Sequence, residues 1–461
     1  MEDEVIDRTE PEEEGYGLDN RTVAAIRLAV AAGDRARLGE LLEPLHPADI
    51  ADLLEQVDSG HRREILLLGS GFFDGEVLSE LDESLREEVI AFLPREVLSE
   101  AVRELESDDV VDLLEDLDAP QQAVILNALE DADRLAVEQA LTYPEYSAGR
   151  LMQRKVVRAP EHWTVGETID HLRAQKDVLP DQFYHVIVVD PGIRPVGYVT
   201  LGKLLASRRS VRLSELYEES FRPIPATQEE SEVAYAFNQY HLISAPVVDD
   251  AGRLVGIITI DDAMAVLDEE HEEDILRLAG VGDSSLNDRV IETSRQRVPW
   301  LLVNLCTAMV SALVISQFEA AITQIVALAV LMPVVASMGG NAGTQALTVA
   351  VRALATKDLT VSNVWRVVRR EAAVGVINGL LFALLMGIVG VVWFGSGALA
   401  LVIAAAMIIN LGVAALAGIL VPVMLDRFGI DPALASGTFV TTVTDVVGFF
   451  AFLGLASMVL L

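Results

Sequence analysis

Among 461 residues the chain has a single cysteine, Cys306, which rules out an internal disulfide and a cysteine metal cluster. It lies in the first long apolar run, so it reads as a small buried apolar side chain. There is no nucleophile elbow, phosphate loop or His-Glu-x-x-His string, and the chain is therefore not expected to be an enzyme. All seven histidines lie outside the long apolar runs. Basic residues are few, 34 against 70 acidic ones, and a net charge of −36 argues against a nucleic-acid partner. The opening residues, MEDEVIDRTEPEEEGYG, have no apolar core and so read as neither a secretory signal nor a lipidation site. Residues 1–20 are expected to be a disordered acidic tail.

The charge that is present lies at one end. From Val298 to Leu461 there are six acidic residues (Glu319, Asp358, Glu371, Asp426, Asp431, Asp445) and six basic ones (Arg352, Lys357, Arg366, Arg369, Arg370, Arg427). That part is neutral, so the whole net charge belongs to residues 1–297. The neutral part divides into five candidate spans, roughly 298–318, 321–350, 371–394, 398–425 and 432–461, each near the ~20 residues that cross a bilayer. The second and the last are long and polar on one side, so they are expected to break or to run past the hydrocarbon. Five basic residues between Arg352 and Arg370 crowd the connection between spans two and three. The positive-inside rule makes that loop cytoplasmic, which puts the acidic part in the cytoplasm and the C-terminus outside a cell (inner) membrane.

Within the last span stands Asp445, on one helical face with Thr438, Thr441 and Thr442. A carboxylate at that depth costs roughly 2.5–3.5 kcal/mol on the mildest insertion scales, so it should face water or a partner instead of lipid. Span two carries PVVASMGGNAGTQALTVAVRALATKDL, in which Asn341, Thr344, Gln345 and Thr348 recur on one face and Gly339, Gly340 and Gly343 allow close backbone approach. Taken alone, those glycines could serve helix packing and the threonines could bond their own backbone carbonyls. Asp445 resists that account, because no basic residue lies within the spans to neutralise it. Two polar stripes can line one aqueous pore for a hard, hydrated cation. One carboxylate per chain is too few for a dehydrating calcium cage.

The acidic part contains two internal repeats. Leu45–Asp58 (LHPADIADLLEQVD) matches Leu105–Asp118 (LESDDVVDLLEDLD), which suggests a stacked-helix superhelix over 21–142. Over 143–267, Val188–Ala206 aligns on Val247–Ala265 at an offset of 59, each copy reading as strand, turn, strand and helix. These copies resemble a tandem pair of CBS domains, a family that binds adenine nucleotides in its clefts. There an Asp after the second strand's Thr holds a ribose: the second copy has Thr259 and Asp262, whereas the first has Thr200 and Lys203. A purely structural dimerisation module is the other reading of the pair. Residues 268–297 read as an acidic, plug-like connecting helix opening on Asp268, Glu269, Glu270, Glu272, Glu273 and Asp274. Two carboxylates held ~5 Å apart repel by roughly 3 kcal/mol at an effective dielectric of 20, and a divalent cation between them reverses the sign.

In their order the parts resemble the MgtE family of magnesium channels over nearly the whole chain. The residues that carry the resemblance are Gly339–Gln345 (GGNAGTQ), Arg352–Ala355, Asp431–Leu434 and Thr444-Asp445, with Tyr143–Met152 (YPEYSAGRLM) in support. The resemblance implies a multidomain membrane protein: an all-α superhelical N-terminal domain, an α/β tandem CBS pair, a connecting helix and an α-helical bundle of five spans, 298–461. It implies a homodimer with its pore on the two-fold axis, Asp445 of each chain holding hydrated Mg²⁺, and oxygens of Gly340, Asn341, Thr344 and Thr441 nearby. Gly437 stands where the family often has Asn. It further implies that cytosolic Mg²⁺ closes the pore through Asp262, Glu269, Glu270, Glu273 and Asp274, with Asp108 and Asp109 opposite them and Asp431 at the cytoplasmic mouth. Ala265 stands where some members have a carboxylate. ATP or another adenine nucleotide at Thr259 and Asp262 is a second expected ligand. Two other readings use the same residues: a membrane-anchored, nucleotide-sensing CBS receptor that does not conduct, and a divalent cation exporter or exchanger.

Overall fold

The computed structural model describes residues 18–115, 117–176, 179–180, 182–218, 222–281 and 290–461. It divides into two compact units, one ending at Leu267 and one beginning at Asp268. All but the last three residues of the expected acidic tail lie outside the described residues, and Asp19 already caps the first helix.

The first unit opens on ten short helices: α1 (Asn20–Ala31), α2 (Arg35–Leu42), α3 (Pro47–Gln56), α4 (Ser59–Leu68), α5 (Gly75–Ser79), α6 (Glu83–Phe92), α7 (Arg95–Glu104), α8 (Ser107–Glu115), α9 (Ala119–Ala128) and α10 (Asp131–Ala140). Their starts are written locally. Asp58 accepts from Gly60 and His61 at the head of α4, and Asp118 with Gln121 closes a capping box on α9. Helices of this length are marginal alone, so one shared core including Ile26, Leu38, Leu66, Leu78, Val102 and Ile125 holds them. The repeat supplies equivalent core positions, Leu53 and Leu54 on α3 and Leu113 and Leu114 on α8, none more than 1 % exposed. Arg62 ties these helices from inside: Nε donates to Leu54 O at 2.8 Å, Nη2 to Val57 O at 2.9 Å and Nη1 to Glu88 Oε2 at 2.8 Å.

After α11 (Ala148–Leu151) come two matching three-stranded sheets. One is β1 (Arg158–Pro160), β2 (His185–Val189) and β3 (Pro195–Thr200), the other β4 (Ile224–Pro225), β5 (Ser244–Val248) and β6 (Leu254–Thr259). In each, the first pair is parallel, the second antiparallel, and the register shifts at the same place, Val188/Val189 and Val247/Val248. The 59-residue offset therefore holds strand for strand, and His185 and Ser244 occupy equivalent positions. Helices α12 (Val165–Ala174) and α13 (Leu201–Ala206) flank the first sheet, and α14 (Glu230–Tyr240) and α15 (Ile260–Leu278) the second. The acidic residues from Asp268 to Asp274 continue α15 without a break. Residues 282–289 lie outside the described residues, and Arg295 and Arg297 already belong to the next helix.

That helix, α16 (Val290–Ser316), begins the second unit's apolar bundle, followed by α17 (Glu319–Gln324), α18 (Ala327–Ala355), α19 (Val364–Phe394), α20 (Gly397–Arg427) and α21 (Pro432–Val459). Five of them, all but α17, contain stretches long and apolar enough to cross a membrane. The second apolar run does break, at Ile325 and Val326 between α17 and α18. Helix α19 starts seven residues before the expected span, so Arg366, Arg369 and Arg370 form its first turns. Helix α20 is the hub, packed on α18, α19 and α21, with Ile403, Ala406, Met407 and Leu411 in a core shared with Phe452 and Leu453 of α21. By contrast α16 leaves Leu301, Leu302, Leu305 and Leu313 exposed, as a lipid-facing helix would.

Candidate functional site

Helices α18 and α21 meet at Gly343, where the α18 backbone faces side chains of α21. A Cβ on Gly343 would fall 2.6 Å from Val440 Cγ1, so only glycine permits this approach. Gly343 also faces Thr444, which brings the Gly340–Thr344 stretch beside Asp445. The buried side of α18 is Gly339, Gly343, Ala346, Leu347 and Ala350; the opposite side leaves Asn341, Thr344, Gln345 and Thr348 exposed, and Gly340 opens onto free space. On α21, Thr441 and Asp445 are half-buried. Among the described residues Asp445 makes no ion pair and accepts no hydrogen bond, and no three of His, Cys, Asp and Glu are grouped to hold a metal ion. Asp445 thus stands beside a polar face of α18 that none of the described residues covers.

The threonine hydroxyls bond backbone, as the packing alternative allows. Thr441 donates to Gly437 O at 3.0 Å, Thr442 to Thr438 O at 2.6 Å and Thr348 to Thr344 O at 3.0 Å. With their protons engaged, these oxygens retain only acceptor capacity, the polarity a cation requires. Thr438 instead donates to Asn304 Oδ1 on α16 at 2.9 Å, extending the polar stripe to a third helix.

Sequence reasoning missed Asn410. It lies on α20, is fully buried, donates through Nδ2 to Val335 O at 2.8 Å, and leaves Oδ1 without a partner. Two glycines make room for it: a Cβ on Gly339 would sit 2.2 Å from Asn410 Nδ2, and one on Gly448 2.8 Å from the same atom. Asn410 is therefore the peg between α18, just before Gly340, and α21, one turn past Asp445. The signal was an amide in the apolar run VIAAAMIINLGVAALAG.

In the first unit, Asp108, Asp109 and Asp262 come together. Asp108 is 6 % exposed, and both its carboxylate oxygens are buried without a partner. Burial, reinforced by Asp262 and Asp109, pushes its pKa well above the ordinary carboxylate range. Burial and then Glu106 raise Asp109 to about 6. Burial also raises Asp262 to about 7, against the hydrogen bonds it accepts from Thr259 Oγ1 at 2.6 Å and Thr259 N at 3.2 Å. In the second unit, Glu273 pairs with Arg277 at 2.6 Å, and Asp274 is raised by burial and by neighbouring Asp431. Asp431 caps α21 through Ala433 N and meets Arg277 at 3.4 Å. Glu269 and Glu270 follow Asp268 along α15, Glu269 exposed and Glu270 half-buried.

Side-chain contacts stand at both CBS clefts. At the first, Lys203 Nζ meets Glu218 at 3.3 Å where the ribose-binding Asp would stand. At the second, His185 Nδ1 lies 2.6 Å from Ser244 Oγ, and the cavity reaching Thr259 encloses only about 10 Å³.

Residues 332–455 match the family model described as a divalent cation transporter, residues 45–146 that of the MgtE intracellular N domain, and residues 148–209 and 219–269 that of the CBS domain. With the five spans and the polar crossing of α18 and α21, they place the chain in the class of multi-pass divalent cation transporters. The magnesium transporter MgtE of Thermus thermophilus is 33% identical over 451 residues, spanning 96% of this chain and 99% of that one. That of Bacillus subtilis is 28% identical over 418 residues, 90% of this chain and 92% of that one. A solved structure of the cytosolic domain of the Mg²⁺ channel MgtE in complex with ATP covers 53% of this chain and 99% of its own, at 30% identity and a TM-score of 0.49. The chain belongs to the MgtE family.

Proposed function

We propose that this chain conducts Mg²⁺ inward across the cell membrane as a homodimer, and that Mg²⁺ on the cytoplasmic side closes it. The observation that carries the reading is Asp445, without an ion pair among the described residues, beside the uncovered polar face of α18. Such a face cannot be left to lipid, and a second copy related by a two-fold axis turns two half-sites into one polar passage. Two Asp445 carboxylates, with oxygens of Gly340, Asn341, Thr344 and Thr441 around them, supply a few hard ligands and leave room for the waters Mg²⁺ retains. The basic turns at the head of α19 orient the bundle, so the first unit is cytoplasmic and the C-terminus outside.

Closure uses the acidic residues. The buried, partnerless oxygens of Asp108 and the raised pKa values of Asp109 and Asp262 describe a hard-oxygen donor set that is unfavourable without a counter-cation, and a divalent ion there favours the packed state. Glu269, Glu270, Glu273, Asp274 and Asp431 continue that role along α15 and at the start of α21. Several ions, each binding the closed state better, make the closure cooperative. An adenine nucleotide at Thr259 and Asp262 is a second ligand of this reading, and its entry requires the second cleft to widen.

The test is Mg²⁺ flux into proteoliposomes, comparing the parent with Asp445→Asn at low and millimolar Mg²⁺ on the cytoplasmic side. Flux that needs Asp445 and falls with cytoplasmic Mg²⁺ is the expected result. Equal flux in parent and variant sinks the pore assignment, and flux indifferent to cytoplasmic Mg²⁺ sinks the gate.

A further inference from the structure

The arginines at the head of α19 lie on one side of that helix. At about 3.6 residues per turn, Arg366 and Arg370 share a line with Ile377, Leu381 and Leu384, and all of these are exposed. The opposite side packs on α20, where a Cβ on Gly375 would fall 2.7 Å from Ala415 Cβ and one on Gly379 3.0 Å from Ile408 Cα. Among the described residues Arg366, Arg369 and Arg370 make no ion pair, and Arg369 Nε donates to Trp365 O at 3.2 Å. Two tryptophans, Trp365 and Trp393, stand exposed near the two ends of the helix.

What covers this line follows from its residues. Helices that pack together in a membrane approach through small residues, and α19 turns its glycines toward α20. The outer line carries bulky apolar side chains instead. The helical rise from Trp365 to Trp393 is about 42 Å, which matches the ~40–45 Å of a bilayer with its headgroups, and indoles settle at those two depths. Lipid therefore fits this line better than a second copy of the chain. The positive-inside rule accounts for the sign of the charge at this end of the bundle, but not for two arginines one turn apart on the lipid-facing line. We propose that this line binds an anionic phospholipid, its headgroup phosphate between the guanidiniums of Arg366 and Arg370 and an acyl chain along Ile377, Leu381 and Leu384. A guanidinium matches phosphate through two parallel N–H bonds, and cations at this depth favour anionic over zwitterionic headgroups. From Arg370 to Leu384 the helix rises about 21 Å, the depth of one headgroup layer and one leaflet. The site needs the membrane-spanning bundle and not the pore assignment.

The test titrates the full chain in a neutral detergent with pyrene-labelled phosphatidylglycerol or pyrene-labelled phosphatidylcholine, and energy transfer from tryptophan reports binding. Phosphatidylglycerol should bind at the lower concentration, and Arg366→Gln and Arg370→Gln should each cut that preference about fivefold. Both side chains are exposed and Gln is a good helix former, so these variants keep the fold. Arg427→Gln removes one charge from the end of α20, which packs at the same end of the bundle but on the side of α19 away from the line, and should leave the preference unchanged. Equal binding of the two lipids, a preference that survives both α19 substitutions, or one that falls as far with Arg427→Gln overturns the site. None of these readouts depends on transport, so the lipid site and the channel reading can fail separately.

Discussion

Substituting Gly339 by Ala tests whether Asn410 holds the pore helices in place. The new methyl would sit 2.2 Å from Asn410 Nδ2 and 2.8 Å from its Cγ, closer than side chains approach without a shift. Moving the amide gives up the 2.8 Å bond to Val335 O at full burial. Overpacking of this kind costs roughly 1–3 kcal/mol and an orphaned buried donor about 1–3 more, while alanine recovers up to about 1 kcal/mol of helix propensity over glycine. The net loss is roughly 1–5 kcal/mol, or about 3–15 °C in melting temperature for a unit of this size. Removing the obstacle should remove the penalty. In an Asn410→Ala background the same Gly339→Ala change is expected to be neutral or slightly stabilising, because only the propensity gain remains. The assay is thermal melting of the four proteins in one detergent, with Mg²⁺ flux as the second readout. A Gly339→Ala protein that melts with the parent, or one whose loss persists unchanged without Asn410, would show that the peg does not set the α18–α21 spacing.

Three further outcomes follow from the first unit and the mouth of the bundle. Asp109 and Asp262 titrate near 6 and 7 in the fold against about 4 in the unfolded chain, so the folded state holds more protons between these values. In EDTA, stability should therefore fall as pH rises from about 4 to 7, and millimolar Mg²⁺ at pH 7 should restore it; a pH-independent melt refutes the coupling. Arg62→Met strips two carbonyls and Glu88 of their buried partner and should cost roughly 3–5 kcal/mol, read as a lowered melting temperature with an unchanged Asp445-dependent pore. Arg277→Ala releases Glu273 and Asp431 from their cation and should shift closure to lower Mg²⁺ in the flux assay, whereas an unmoved midpoint would exclude both residues from the sensor.

Much of this architecture was legible because each level of the sequence repeats its own rule. The 59-residue offset reappears as two sheets with one register fault in common, since a strand that must bury Val186 or Ala245 cannot slip by one residue without exposing it. Span count followed from apolar length, but span ends did not. Arg366, Arg369 and Arg370 are as helical as the apolar residues after them, because charged first turns can stand in the interface where hydropathy stops but hydrogen bonding does not. The connecting segment is helical and begins a new compact unit at Asp268, as expected, but its carboxylates continue α15 with no proline or glycine before Gly280. Asn410 escaped because a lone amide in an apolar run has no periodicity. Its role rests on Gly339 and Gly448, far away in sequence, and only the fold brings the three together.

In the proposed reading, Asp445 and Asp108 use the same functional group for opposite ends. On the proposed reading, Asp445 is half-buried beside Thr441, whose hydroxyl proton is engaged by Gly437 O, so a cation there would meet few ligands and keep its water, which would favour passage over capture. Asp108 lies deeper, near Asp109 and Asp262 and without a hydrogen-bond partner on either oxygen among the described residues, so on the proposed reading a cation binding there would relieve their repulsion and its loss would restore it. Weak binding where the ion must leave and strong binding where it must report its concentration require different burial of the same functional group. An Asp108→Asn substitution separates them: it should abolish most of the Mg²⁺ dependence of stability while leaving Asp445-dependent flux intact at low Mg²⁺ and no longer suppressed at high Mg²⁺. Flux that is lost along with the dependence would mean that the first unit is required for conduction itself and does not merely gate it.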